Sequence, residues 1–161
     1  MPGRAPSRHP GGVSAVTVRT ATLEDLPGIR AVFRASSLSN AGDRAALLAH
    51  PEALELPDAC VHEGRTLVAV AGDRVIGFAT TIATDAGVEL EDLFVEPGRT
   101  RRGVGRRLLR DVVARGRASG ARRIDVTAND HATGFYEAVG FVRTGAADTP
   151  FGPAVRMRRD L

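Results

Sequence analysis

Residues 88–120 read VELEDLFVEPGRTRRGVGRRLLRDVVARGRASG, and the rest of the chain is organised around them. Val88 to Val95 is rich in branched and aromatic apolar residues, the signature of a strand. Pro97 and Gly98 stop it. An Arg/Gly turn from Arg99 to Gly105 leads directly into a helix. At about 100° per residue, Val104, Gly105, Leu108, Leu109, Val112, Val113 and Gly116 share one half of that helix. Arg106, Arg107, Arg110 and Arg117 share the other, and Gly120 is a stop signal. A strand that hands the chain to a helix N-terminus through glycines leaves free N–H groups at the junction. Those of Arg102, Gly103, Val104, Gly105 and Arg106 point into one concavity, an anion cradle reinforced by the helix dipole. The surrounding arginines favour phosphate or pyrophosphate.

Two common phosphate motifs do not fit. A P-loop needs Gly-Lys-Ser/Thr, and the chain has no lysine. A dinucleotide fingerprint needs a third glycine where Leu108 stands. The stretch instead resembles motif A of the GNAT superfamily of N-acetyltransferases, Arg/Gln-x-x-Gly-x-Gly/Ala after a strand of the LEDLFV kind. Here the six positions are Thr100, Arg101, Arg102, Gly103, Val104 and Gly105. Both glycines match; Thr100 departs from Arg/Gln, with arginines on either side of it. A second match follows a short strand at Arg123 to Thr127. Asn129, Ala132, Phe135, Tyr136, Gly140 and Phe141 reproduce the GNAT motif B, Asn-x-x-Ala-x-x-Phe-Tyr-x-x-x-Gly-Phe, at every fixed position. Asn129 or Asp130 caps its helix, Ala132, Phe135 and Val139 face inward, and Gly140 supplies the left-handed end.

Upstream, Val16 to Arg19 alternates like a strand, and Thr22-Leu23-Glu24-Asp25 opens a helix with Leu26, Ile29, Val32 and Phe33 on one face. Ser36 to Asn40 breaks that pattern. Ala45 to Leu56 is a second helical stretch interrupted by Pro51. Thr66 to Val70 and Val75 to Thr84 are strands, with turns at Gly72-Asp73 and Asp85-Ala86-Gly87. Gly77 marks a bulge or a close backbone approach. Val142-Arg143 and Ala154 to Arg159 close the sheet. The GNAT resemblance covers residues 16–161. It implies an α/β (α+β) fold: a mixed, mostly antiparallel sheet flanked by helices and splayed between its fourth and fifth strands. Residues 1–15, rich in Gly, Pro and Ser and lacking an apolar h-region, are expected to be a disordered leader rather than a secretory signal.

Composition agrees. A chain of 161 residues with 43% hydrophobic residues suits one domain with a real core. No apolar run approaches the roughly 20 residues that cross a bilayer, so no membrane is expected. A lone cysteine, Cys60, suits a reducing cytoplasm. Net charge is +3, and ten of the 22 arginines lie between Arg99 and Arg123, so the basicity is local. With one Tyr, no Trp and no zinc or helix-turn-helix spacing, a nucleotide-like cofactor explains the cluster better than nucleic acid does. No ligand pair has metal spacing.

The resemblance implies acetyl-coenzyme A, its pyrophosphate on residues 100–106 and its pantetheine arm against the backbone of Leu93, Phe94 and Val95. It implies an amine acceptor, small molecule or peptide, that attacks the thioester directly without an acyl-enzyme, in a monomer or homodimer. Tyr136 is the expected general acid, and Asn129 a ligand of the cofactor's amide as well as a cap. For the base, plain strand alternation places Glu89 and Glu91 on one face and Asp92 on the other; Glu89 and Glu91 are the candidates beside a water chain. A catalytically silent acyl-coenzyme A sensor or partner module of the same fold is the alternative. The acceptor is not legible in residues 34–62 or 145–153.

Overall fold

In a computed structural model that describes residues 14–161, the chain order is β1 (Val16–Thr20), α1 (Leu26–Ser39), α2 (Ala41–Ala49), α3 (Ala59–His62), β2 (Thr66–Ala71), β3 (Arg74–Thr84), β4 (Gly87–Val95), α4 (Val104–Ala118), β5 (Arg123–Ala128), α5 (Thr133–Ala138), β6 (Val142–Thr149) and β7 (Gly152–Asp160). Nearly all of the expected leader falls outside the described residues. The strands form one sheet in the order β1-β2-β3-β4-β5-β7-β6. Every pair is antiparallel except β4–β5.

Two apolar cores lie on the two faces. Val104, Leu108, Leu109, Val112 and Val113 of α4 join Val88, Leu90, Ile124, Val126, Met157, Tyr136 and Phe141 on one side. The helical period read from the sequence buries that half of α4. On the other side Ile29 and Val32 of α1 meet Val68, Val70, Val75 and Phe78, with Cys60 and Val61 of α3 beside them. Phe33, Phe78 and Phe94 join α1 to the sheet through edge and stacked contacts at 5.0–6.4 Å.

The helix at the N-terminus runs further than its pattern indicates. Ser36 to Ser39 continue α1 rather than ending it, and Asn40 starts α2, its side chain accepting from the Gly42 amide at 3.1 Å. The second helical stretch therefore begins at Ala41, and Pro51–Leu54 is a separate tight turn. Gly77 meets both expectations: the β2–β3 register shifts beside it, and a Cβ there would sit 3.0 Å from the Phe94 carbonyl oxygen and 3.2 Å from Leu108 and Val104.

The parallel β4–β5 pair is short. Val88, Glu89 and Leu90 lie opposite Ile124, Asp125 and Val126, and there the pairing stops. β4 runs on to Val95 against β3, and β5 runs on to Ala128 against β7. The two strands diverge into the expected splay. Gly87 closes its narrow end. Its φ is +152°, and a Cβ would lie 2.4 Å from the Arg123 carbonyl oxygen, a backbone atom with nowhere to go. Gly87→Ala should therefore push β5 off β4 and destabilise the fold by about 2–4 kcal/mol, as strained backbone and overpacking together do. Gly98, with open space around its Cβ position, is the control: Gly98→Ala should leave the melting temperature within about 1–2 °C. Equal melting temperatures for the two variants would contradict this account of the closed end.

Candidate active site

The splay is where unspent backbone collects. From Glu91 to Val95, β4 bonds to β3 on one side only, leaving polar groups on its β5-facing edge without a strand partner. Leu93, Phe94 and Val95 lie on this stretch. Just beyond, a tight turn at Pro97–Arg99 leads to Arg101 and Gly103, both left-handed at φ +64° and +80°. Gly103 is the N-cap of α4, and nothing lies within 4 Å of the place where its Cβ would be. The amides of Val104, Gly105 and Arg106 are in the first helical turn, which has no intrahelical acceptors for them. The residues of the predicted anion cradle thus meet at the end of the open edge. A glycine is required at 103 by its conformation. At Gly105 a Cβ would face the Phe135 ring at 3.4 Å and Val95 at 3.8 Å. The glycine lets α4 lie against α5.

Thr100, the one departure from motif A, is spent locally. Its hydroxyl donates to the Pro97 carbonyl oxygen at 3.1 Å and holds the turn. Asn129 sits at the head of the Asp130–Ala132 turn, but its side chain makes no capping bond; Thr133 closes that turn instead, donating to the Asp130 carbonyl at 2.8 Å. The Asn129 amide is left available at the end of β5.

The carboxylates of β4 are not arranged as simple alternation suggests. Val88 and Leu90 face the α4 core, and so do Leu93 and Val95, whereas Phe94 packs in the other core. The phase shifts by one because Glu91 is an extra residue: Asp92 pairs with Thr80, and Leu90 with Thr81. This bulge puts Asp92 on the same face as Glu89, correcting the expected opposition. Two of the three acids are then engaged by arginine. Arg156 grips Glu89 with both terminal nitrogens, at 2.7 and 3.1 Å, and also reaches Thr127. Arg65 holds Glu91 at 2.9 Å and Glu63 at 2.5 Å. Asp92 has no ion-pair partner among the described residues. Burial pushes its carboxyl up to about 6, the Glu91 charge adding to the rise, with the Thr80 hydroxyl and Arg65 opposing it.

Tyr136 is buried between Phe135 and Phe141, whose rings meet its own edge-on at 5.2 Å. Its hydroxyl has no hydrogen-bond partner among the described residues, yet no buried side-chain polar atom among them lacks one. The hydroxyl is therefore not completely sealed in the core. Burial raises its pKa, and the charge of Asp92 raises it further, so the phenol keeps its proton at neutral pH and lies within electrostatic reach of Asp92. The site holds a protonated phenol, a carboxyl that burial pushes up to about 6, an open strand edge and the free amides of a helix N-terminus. Sequence reasoning missed Asp92; the signal was the break in apolar phase between Leu90 and Leu93.

Comparison with known proteins assigns the family. A sequence profile of the acetyltransferase (GNAT) family matches residues 34–141, and the chain belongs to that family. No curated protein sequence matches it significantly. Among solved structures the fold is similar to a PaiA N-acetyltransferase from Thermoplasma acidophilum in complex with coenzyme A (19% identity, 91% of this chain and 99% of that one, TM-score 0.75). It is also similar to a GCN5-related N-acetyltransferase from Rhodopseudomonas palustris (23%, 95% and 100%, 0.74). The ribosomal-protein-S18-alanine N-acetyltransferase of Escherichia coli is a third (18%, 91% and 94%, 0.66). At these identities the likeness concerns the fold, which is the mixed, splayed sheet expected from the motifs.

Because the cradle is mostly backbone and Thr100 serves only the turn, Thr100→Arg should change coenzyme A affinity by less than about tenfold, or about 1.4 kcal/mol, by calorimetry. A larger gain would show that the side chain at this position limits binding.

Proposed function

We propose that the chain is an acetyl-coenzyme A-dependent N-acetyltransferase acting on a primary amine, of a small molecule or a peptide, by direct attack. The observation that carries this is the splay itself, whose unpaired β4 edge ends at the head of α4, with Asp92 on that edge strand and the Tyr136 phenol within its electrostatic reach. Gly103 leaves the cradle free of a Cβ, and the open edge ends on it, so the residues present fit the cofactor. The amides of residues 102–106 hold its pyrophosphate, with Arg101, Arg102 and Arg106 around them. The backbone of Leu93, Phe94 and Val95 aligns the pantetheine arm, and Asn129 meets its amides. Bound acetyl-coenzyme A supplies the thioester.

Asp92 is the general base in this reading. Its carboxyl, titrating at about 6, is ionised at neutral pH yet close enough to the operating range to accept a proton from an incoming ammonium. Glu89 and Glu91, committed to Arg156 and Arg65, shape the charge around it. Tyr136 keeps its proton and presents it to the leaving sulfur. The free, buried Cys60, its thiol donating to the Pro57 carbonyl at 3.3 Å, is a packing residue. No described helix is long and apolar enough to cross a membrane, and a reducing cytoplasm suits the free thiol.

Two substitutions test the pair. Tyr136→Phe should lower kcat by roughly 10–10³-fold with coenzyme A affinity and melting temperature unchanged. An unimpaired variant would remove Tyr136 from the chemistry. Asp92→Asn should lower kcat/KM and abolish the rise of kcat/KM with pH near 6. It should also stabilise the protein. The folded carboxyl at about 6 holds its proton more tightly than the unfolded one at 3.8. The fold therefore loses stability as pH rises from about 4 to 6, by an amount of order 1–3 kcal/mol. Asp92→Asn should remove this loss at pH 7 and have little effect below pH 4. A variant that keeps the acid limb of the rate profile would rule Asp92 out as the base.

A further inference from the structure

Beside α4 lies a groove of about 480 Å³, bounded by the end of α5 and by β7. Its floor is apolar, with Leu109 from α4 and Val139 after α5. Four guanidinium groups rim it: Arg106, Arg110 and Arg117 from α4 and Arg159 from β7. Four arginines elsewhere on the sheet are neutralised, Arg156 by Glu89, Arg65 by Glu91, and Arg123 and Arg158 by Asp125. Here they are not. Among the described residues Arg106, Arg117 and Arg159 have no ion-pair partner, and Arg110 has only Asp111 at 4.0 Å. Like charges gathered around one concavity repel each other, and an anionic guest removes that cost. An apolar floor with a guanidinium rim suits a flat heterocycle that carries a phosphate.

The position of the groove selects the guest. Arg106 belongs both to the rim and to the anion cradle at the head of α4. Arg110 is one helical turn further on, about 6 Å along the axis. In coenzyme A the 3′-phosphate is one ribose ring away from the pyrophosphate, so a pyrophosphate on the cradle brings it over the near end of the groove. We infer that Arg110 and Arg159 form a subsite for the 3′-phosphate of coenzyme A, with the adenine over Leu109 and Val139, and that the protein thereby selects coenzyme A over its dephosphorylated form. This rests on the coenzyme A reading above. Arg117 is about 16 Å along the helix from Arg106, out of reach of this phosphate.

The test compares coenzyme A with 3′-dephospho-coenzyme A by titration calorimetry on the full chain at fixed ionic strength. Wild type should bind coenzyme A at least about tenfold more tightly, as expected for a charge-assisted phosphate contact. The double variant Arg110→Ala/Arg159→Ala should bind coenzyme A as weakly as wild type binds the dephospho form, with dephospho-coenzyme A affinity unchanged; that unchanged affinity also shows that the variant is folded. Arg117→Ala should bind both ligands as wild type does. Equal wild-type affinity for the two ligands, or equal losses for both in the double variant, would overturn the subsite and leave the coenzyme A reading standing. Failure of wild type to bind either ligand would overturn both.

Discussion

The architecture depends on one termination: the hydrogen bonding between β4 and β5 stops at Leu90 and Val126. Each strand continues, but with its other neighbour. β5 pairs with β7 along its whole length, and β4 stays with β3 to Val95. The closed end is tight because Gly87 admits the Arg123 carbonyl. The open end diverges just where the bulge at Glu91 increases the local twist of β4. Unpaired strand edges are normally covered or blunted. This one is internal, faces a gap, and ends on the free amides of a helix terminus. A ligand that is itself extended and amide-bearing, with an anionic end, satisfies both features together.

The same bulge decides the electrostatics. By shifting the phase of β4 it turns Asp92 toward Thr80 and the second core, where it forms no ion pair among the described residues. The result is three carboxylates within four residues in two different states. Two are held by guanidinium groups. The third is desolvated without a cation, and the Asp92 carboxyl moves up to about 6 while the nearby Tyr136 phenol moves further from ionisation. Groups pushed apart in this way suit complementary base and acid roles. The stability forgone by burying Asp92 as a charge at neutral pH is consistent with a residue kept for chemistry rather than for folding.

Much of this was legible in the sequence. The turns carry glycine where the backbone is left-handed, at Gly72, Gly103, Gly120 and Gly140, and the apolar period of α4 matches the face it buries. Gly103 is the N-cap of α4, Asn129 follows β5, and Tyr136 lies in α5, the elements their sequence context assigns. What was not legible is non-local. The partners of Glu89 and Glu91 lie 67 and 26 residues away, at Arg156 and Arg65, beyond any local pattern. The continuation of α1 through Ser36–Ser39 runs against the indifferent helix propensity of serine and is decided by context outside the local pattern. α3 is four residues long, too short for a period to show. The packing of Gly105 on Phe135 joins the two motifs across the fold, and neither motif alone reveals it.

The central claim is that the unpaired edge of β4 is completed by the cofactor. Residue-resolved amide hydrogen exchange, with and without coenzyme A at saturation, reads that edge directly. The account predicts that amides between Glu91 and Val95 gain protection on binding, by about tenfold or more, while those of Val88 to Leu90, already within the β4–β5 pair, change little. Calorimetrically verified binding that leaves exchange between Glu91 and Val95 unchanged would contradict it.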